Sequence, residues 1–265
     1  AEMTIAAARA GARAVHCEKP MALTYADSRR MVEECEKAGT QLTIDHQRRF
    51  GPPFIEARRR LEAGEIGRLQ RIEAGCSNLY DWGTHWFDMM FYYNDQTPVD
   101  WVLGQIDLRG SKTVFGAPVE GQGLAYFHFR NGVYGLLATG HENGMTASNR
   151  LIGSDGIIEV GAHPVGEERS VTLRIFSASS GGWEDIEVEP EIHGQGNFLR
   201  AVNNAVDALD NNHEPELSGR KALMATELIF ATWESSRRRA RVDLPLDVDG
   251  SALQAMLDEA GMALA

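Results

Sequence analysis

The groups in this sequence best suited to moving a proton are clustered in two short stretches. The richer is Tyr80-Asp81-Trp82-Gly83-Thr84-His85-Trp86-Phe87-Asp88-Met89-Met90. Read as a helix, it places Asp81, His85 and Asp88 within one arc, at spacings i, i+4 and i+7. Trp82, Trp86, Met89 and Tyr93 fall on a neighbouring stripe that can anchor the helix in a core. A carboxylate one turn from an imidazole, on a rigid mount, suits general acid–base chemistry. Asp81 also falls near the expected helix start, where a carboxylate can cap free N–H groups and the positive helix end favours a neutral His85. The same residues have a plain structural reading, with Asp81 a cap and His85 a satisfied core histidine. Metal ligation by His85, Asp81 and Asp88 lacks a clear third partner, so no metal is expected.

The second stretch is Glu18-Lys19-Pro20, which closes the short apolar segment Ala14-Val15-His16-Cys17. Pro20 cannot donate to a sheet, so a strand over 14–17 ends there. A lysine held at a strand end can polarise an oxygen or relay a proton, because burial lowers its pKa readily. A solvated surface turn is the alternative. Asp45-His46-Gln47-Arg48-Arg49 follows the next strand on the same edge, and Arg48 there can meet a phosphate, carboxamide or hydroxyl. For Arg49 a salt-bridged junction is the expected role. His163-Pro164 and His193-Gly194 read as loops, with His128 and His141 in or beside strands.

Positioning these groups requires a particular order of elements. Residues 1–12 are Ala-rich and helical, and they look like the middle of an element, as if the chain begins partway through a larger unit. Thr24 is an N-cap for a helix over 25–37, with Asp27 in the capping-box position and Gly39 beyond its end. Leu42-Thr43-Ile44 is the next strand, which makes one βαβ unit. A helix over 54–62 and a strand over 69–74 precede the Asp81 helix. Alternating segments over 99–108, 123–129, 132–139, 149–152, 156–160, 171–176 and 184–188 predict a mostly antiparallel sheet of six or seven strands, with Asn131-Gly132 and Asp155-Gly156 as hairpin turns. One face of such a sheet is free to pack on another subunit. Helices over 197–210, 219–238 and 251–262 close the chain.

The 265 residues carry a formal charge of −12 and 43% hydrophobic side chains. That is ordinary globular composition, and its acidity argues against nucleic acid or an anionic membrane as partner. No apolar run is long enough to span a bilayer. Cys17, Cys35 and Cys76 have neither metal spacing nor an even count, and the N-terminus has no basic-then-apolar leader; a reducing cytoplasm is expected. Gly121-Gln122-Gly123 precedes a strand and is no dinucleotide fingerprint.

Taken together, Ala14–Pro20, the segment 45–50, Asp81-x-Gly83-x-His85-x-x-Asp88, and the tail Phe198…Pro215-Glu216-Leu217-Ser218-Gly219…Val242-Asp243-Leu244-Pro245 resemble the Gfo/Idh/MocA oxidoreductases over nearly the whole chain. The resemblance implies an α/β fold: residues 1–50 as the end of a doubly wound parallel Rossmann sheet, and 51–265 as an α+β substrate and oligomerisation domain with an open sheet packed on helices. It implies NAD or NADP as cofactor, a sugar, glycoside or polyol as substrate, and a homo-oligomer, dimer or tetramer, built through the open sheet face. By resemblance Lys19, Asp81 and His85 are catalytic, with His85 the general acid/base. Glu18, Lys19, Pro20 and Arg48 contact the cofactor, Tyr80, His85 and Asp88 the substrate, and a cis bond precedes Pro20. Roughly the first two-thirds of a Rossmann domain, including the Gly-rich turn, has no counterpart in these residues. The segment between Gly67 and Asp81, about a dozen residues, is shorter than is common in such relatives, so a reduced pocket rim is expected. Two other functions stay open: a non-catalytic sugar-binding or oligomerising module, and a glycosidase acting through transient oxidation.

Overall fold

A computed structural model describes residues 1–140, 148–165 and 169–262, with side chains described outside 162–170. His141 lies outside the described residues. The chain opens with α1 (Glu2–Arg9), β1 (Ala14–Cys17), α2 (Tyr25–Ala38) and β2 (Gln41–Ile44). β1 and β2 pair in parallel, Ala14 opposite Gln41 through Cys17 opposite Ile44. The Thr24 hydroxyl accepts the Asp27 N–H at 3.1 Å, and Gly39 at φ +69° ends α2, a conformation that suits glycine. A 3-10 turn (Gln47–Phe50) leads from β2 into α3 (Pro52–Glu62), whose prolines sit at the helix start where no N–H is needed.

The next elements are β3 (Leu69–Cys76), α4 (Gly83–Tyr93), β4 (Val99–Asp107), a small hairpin of β5 (Lys112–Val114) and β6 (Ala117–Val119), then β7 (Gln122–Phe129), β8 (Tyr134–Thr139), β9 (Asn149–Gly153), β10 (Gly156–Val165), β11 (Arg169–Ser177) and β12 (Trp183–Asp185). α5 (Gln195–Asn211), α6 (Gly219–Arg238), β13 (Val242–Asp243) and α7 (Ala252–Glu259) complete the described chain. His163 therefore lies in strand β10 and not in a loop.

Nine strands form the large sheet in the order β12-β11-β10-β9-β3-β8-β7-β4-β13, two or three more than the alternating pattern implies. Short β12 and β13 extend its edges. All neighbours are antiparallel except β3 and β8, which pair in parallel from Arg71–Tyr134 to Cys76–Thr139. Alternate residues point to the helical side, where Ile72, Val102, Phe127, Phe129, Leu137, Leu151 and Leu173 are buried against α3, α4 and α6. The other face is covered by no helix among the described residues. It carries Trp101, Tyr126, His128 and Tyr134 in mutual ring contact, the Tyr126 and Tyr134 rings stacked at 5.5 Å, beside exposed Leu103 and Leu124.

α6 is the spine that joins this sheet to the β1–β2 pair. Its cap residue Ser218 bridges Thr43 of β2, and its face packs on α2, α4 and β4. A Cβ on Gly104 of β4 would stand 2.3 Å from the Thr232 carbonyl, so only glycine permits this closeness of strand and helix. The Ser235 hydroxyl, three residues further along α6, accepts the Gly104 N–H at 2.8 Å.

Candidate active site

The carboxyl ends of β1 and β2 face the entry to α4, and the candidate groups meet there. At the end of β1 the Lys19–Pro20 bond is cis, as the resemblance implies, and Glu18 accepts the Lys19 N–H at 3.2 Å from an exposed position. The Lys19 amine crosses to the other stretch. It donates to Asp81 Oδ1 at 2.6 Å and to the Asp81 carbonyl at 3.1 Å. Both side chains are largely buried, 18% and 11% exposed, so the pair is poorly screened.

Asp81 does not cap the helix, which begins at Gly83. That work falls to Asn78, whose side-chain oxygen accepts the Asp81 N–H at 2.7 Å and more weakly the Trp82 N–H at 3.4 Å. Behind it a buried carboxylate, Glu120, accepts the Leu79 N–H at 2.6 Å, the Trp233 indole N–H at 3.1 Å and the Thr139 hydroxyl at 3.3 Å. Burial raises the Glu120 pKa, and these donors oppose the rise. The turn that presents Asp81 to Lys19 is thus fixed at both Asn78 and Leu79.

His85 lies in the first turn of α4, 4% exposed, and its Nδ1 has no hydrogen-bond partner among the described residues. Asp81 does not orient it, contrary to the expected Asp–His pair, because the Asp81 carboxylate is turned to Lys19. Its imidazole is held well below the usual histidine range. Burial is the main cause, with the charges of Arg48, His46, Lys19 and His193 adding to it. The neutral ring was expected from the helix end, whereas burial, aided by these neighbouring charges, is its cause here.

Asp88 departs from its expected substrate contact. It is buried and binds Arg49 through both carboxylate oxygens, each at 2.7 Å, while His46 Nδ1 approaches at 3.2 Å. Arg49 also donates to Glu216 at 2.8 Å. The Arg49 and His46 contacts hold the Asp88 carboxyl far below the ordinary carboxylate range despite its burial. His46 Nε2 meets the Thr84 hydroxyl at 2.9 Å, which steadies the residue next to His85. Asp88 and Arg49 form a buried brace between the 3-10 turn and α4, the junction expected of Arg49. Asp81 turns to Lys19 and Asp88 to Arg49 and His46, while His85 Nδ1 is unpartnered, so the three do not converge as metal ligands among the described residues.

Tyr80 also differs from expectation. Its hydroxyl donates to the Ala22 carbonyl at 2.8 Å, and its ring lies 5.9 Å from Trp233. It lines a separate cleft of about 430 Å³ with Leu23, Pro118 and Trp233. Arg48 is buried, with its guanidinium over the Trp86 ring at 4.4 Å and the Trp82 ring at 5.5 Å. Trp82 is 41% exposed and so covers this cation without entering the core as the helical stripe implied. His193, from the loop before α5, reaches the same neighbourhood: burial, Arg48 and Lys19 all lower its pKa. Nothing local in the sequence marks His193, Asn78 or Glu120, each of which gains its meaning from a distant segment.

A nicotinamide end fits this place. The turn Glu18-Lys19-Pro20 presents an amine beside an uncharged buried imidazole whose Nδ1 is unmatched. No glycine-rich strand-to-helix turn that would cradle a pyrophosphate occurs among the described residues.

Residues 1–46 match the family description "Oxidoreductase family, NAD-binding Rossmann fold", and residues 68–244 match "Oxidoreductase family, C-terminal alpha/beta domain". Among curated proteins, the chain is similar to D-apiose dehydrogenase of Paraburkholderia graminis, 46% identical over 90% of this chain and 68% of that protein. It is 28% identical to inositol 2-dehydrogenase 2 of Saccharopolyspora erythraea over 71% of this chain, and spans 55% of that relative's length. Among solved structures it resembles the Caulobacter crescentus aldose-aldose oxidoreductase complexed with glycerol, with TM-score 0.76 and 24% identity over 92% of this chain and 75% of that one. The likeness to that structure is one of fold. With its two parts matched in order and a relative nearly half identical along most of its length, the chain belongs to the Gfo/Idh/MocA oxidoreductase family.

Proposed function

We propose that this protein is an NAD(P)-dependent oxidoreductase acting on a secondary hydroxyl of a sugar, glycoside or polyol. The observation that carries the reading is the Lys19–Asp81 contact of 2.6 Å beside a neutral, buried His85. His85 takes the hydroxyl proton as the carbinol carbon loses its hydride, and returns it in the reverse direction. The Lys19 ammonium donates a hydrogen bond to the same oxygen and stabilises the negative charge that develops on it. Asp81 holds that amine in place through its carboxylate and its carbonyl. When bound, the nicotinamide supplies the hydride acceptor, held at its ring end by Lys19 and the Glu18–Pro20 turn. The relatives named dehydrogenases for apiose and inositol support a sugar or polyol as the substrate class.

The uncovered aromatic face of the nine-stranded sheet is the surface proposed for self-association. Three free cysteines, none disulfide-bonded, suit a reducing cytoplasm. The deciding experiment mixes the protein with NAD⁺ or NADP⁺ and a panel of sugars and polyols. Growth of reduced-nicotinamide absorbance with at least one of them supports the reading. Its absence throughout, with no cofactor binding by calorimetry, overturns it.

A further inference from the structure

Arg48 and Arg49 are adjacent and both buried, yet their surroundings are electrostatically opposite. Two carboxylates neutralise Arg49. The Arg48 guanidinium makes no hydrogen bond or ion pair with any described residue, and its Nε is sealed from solvent without a partner. The two indoles beside it offer their faces, which attract a cation but accept none of its five N–H donors along the guanidinium plane. A buried charge without a counter-charge is unfavourable and is rarely kept without a use. Burial pushes the guanidinium pKa down to about 10, which leaves it charged at neutral pH.

We propose that Arg48 is the specificity residue of the site and takes a planar oxyanion of the reacting molecule, the carboxylate of an aldonic or uronic acid. This rests on the oxidoreductase reading above. Arginine's fork matches a carboxylate with two parallel hydrogen bonds, whereas a neutral hydroxyl satisfies one donor and leaves the charge unopposed. The location favours the substrate over a cofactor phosphate: the guanidinium lies 4.4 Å over the ring of Trp86, the neighbour of His85, the group assigned to the reacting hydroxyl. The chain as a whole carries −12, so an acidic sugar is not drawn in by the general field and needs a local cation. One consequence is built in. A carboxylate on Arg48 cancels a charge that disfavours protonated His85, so binding the acid makes the imidazole a stronger base.

Calorimetric titration of the chain with D-glucuronate, D-glucose and inorganic phosphate tests this without requiring turnover. The expected result is glucuronate binding about tenfold or more tighter than glucose. In R48M the two sugars should bind within about twofold of each other, while R48K keeps part of the preference. The wild-type comparison stands even if R48M does not fold. Equal affinity for both sugars in the wild type overturns the proposal and leaves the oxidoreductase reading in place. A preference that survives in R48M overturns it too, as does phosphate being the one ligand whose binding R48M abolishes. Failure of glucuronate to bind overturns the proposal, while the oxidoreductase reading stands or falls by the cofactor and turnover test above.

Discussion

The Lys19 amine and the Asp81 carboxylate, 62 positions apart in sequence, meet at 2.6 Å across the gap between the β1–β2 pair and the large sheet. A contact this close between weakly solvated partners binds their effects together. Lys19→Met and Asp81→Asn should each lower kcat, and the double variant should lose far less than the sum. The coupling in a double-mutant cycle is expected at about 0.5–3 kcal/mol. Strictly additive losses in kcat/KM would show that the pair does not act as a unit.

Replacing His85 by alanine removes the proton acceptor and leaves the Lys19 turn intact. Turnover should fall roughly 10²–10⁴-fold while nicotinamide affinity changes little. Single-turnover kinetics beside cofactor titration separate the two quantities. Unchanged turnover would remove His85 from the mechanism.

The depressed pKa of His85 has a stability consequence whose sign is fixed. The unfolded chain protonates this ring near pH 6.5, whereas the folded chain resists doing so. As pH falls below about 6.5 the unfolded state takes up the proton first, so stability declines toward acid. His85→Gln should flatten that decline between about pH 6.5 and 5, measured by urea melts at several pH values. The same ring predicts an acid limb of kcat/KM lying below the ordinary histidine pKa.

Asp88→Ala would leave the Arg49 guanidinium deep in the protein with Glu216 as its one described carboxylate partner. Breaking a buried ion pair from one side costs about 3–5 kcal/mol, so the urea midpoint should drop sharply. Because His46, and through it Thr84, also leans on Asp88, activity should fall along with stability. A loss of activity without any loss of stability would restore the expected substrate role of Asp88.

Glu120→Gln should loosen the turn that presents Asp81, because an amide cannot accept both the Leu79 N–H and the Trp233 N–H with its two ends. The expected signature is a lower kcat with KM for the cofactor nearly unchanged. Asn78→Ala, which deletes the turn's cap, should cost about 1 kcal/mol of stability and add to the same kcat defect. Equal losses in kcat and cofactor KM would assign both residues to general packing.

Elements with local signals were legible. Thr24, Asp27 and Gly39 delimit α2 by cap chemistry, and α6 runs from Gly219 to Arg238 as its periodicity implies. The pairing of His85 with Asp81 was misjudged because helical spacing describes only residues already in the helix. Asn78 takes the backbone donors that Asp81 would have capped, and α4 starts two residues later than that reading needs. Local pattern shows that 45–49 ends a strand, but whether Arg48 or Arg49 is neutralised depends on Asp88 and Glu216, which lie 39 and 167 positions away. His193 and Glu120 were opaque for the same reason: their neighbours arrive through the tertiary fold.

The closeness of Gly104 to the Thr232 carbonyl makes α6 a lever whose short arm lies on β4. Even one added methyl at that fulcrum would lift the helix, and the far end of the helix is Ser218, bridged to β2 just before the 3-10 turn with Arg48 and Arg49. A substitution on the large sheet, remote from every reacting group, would in this way retune the alignment of the strand ends that carry them.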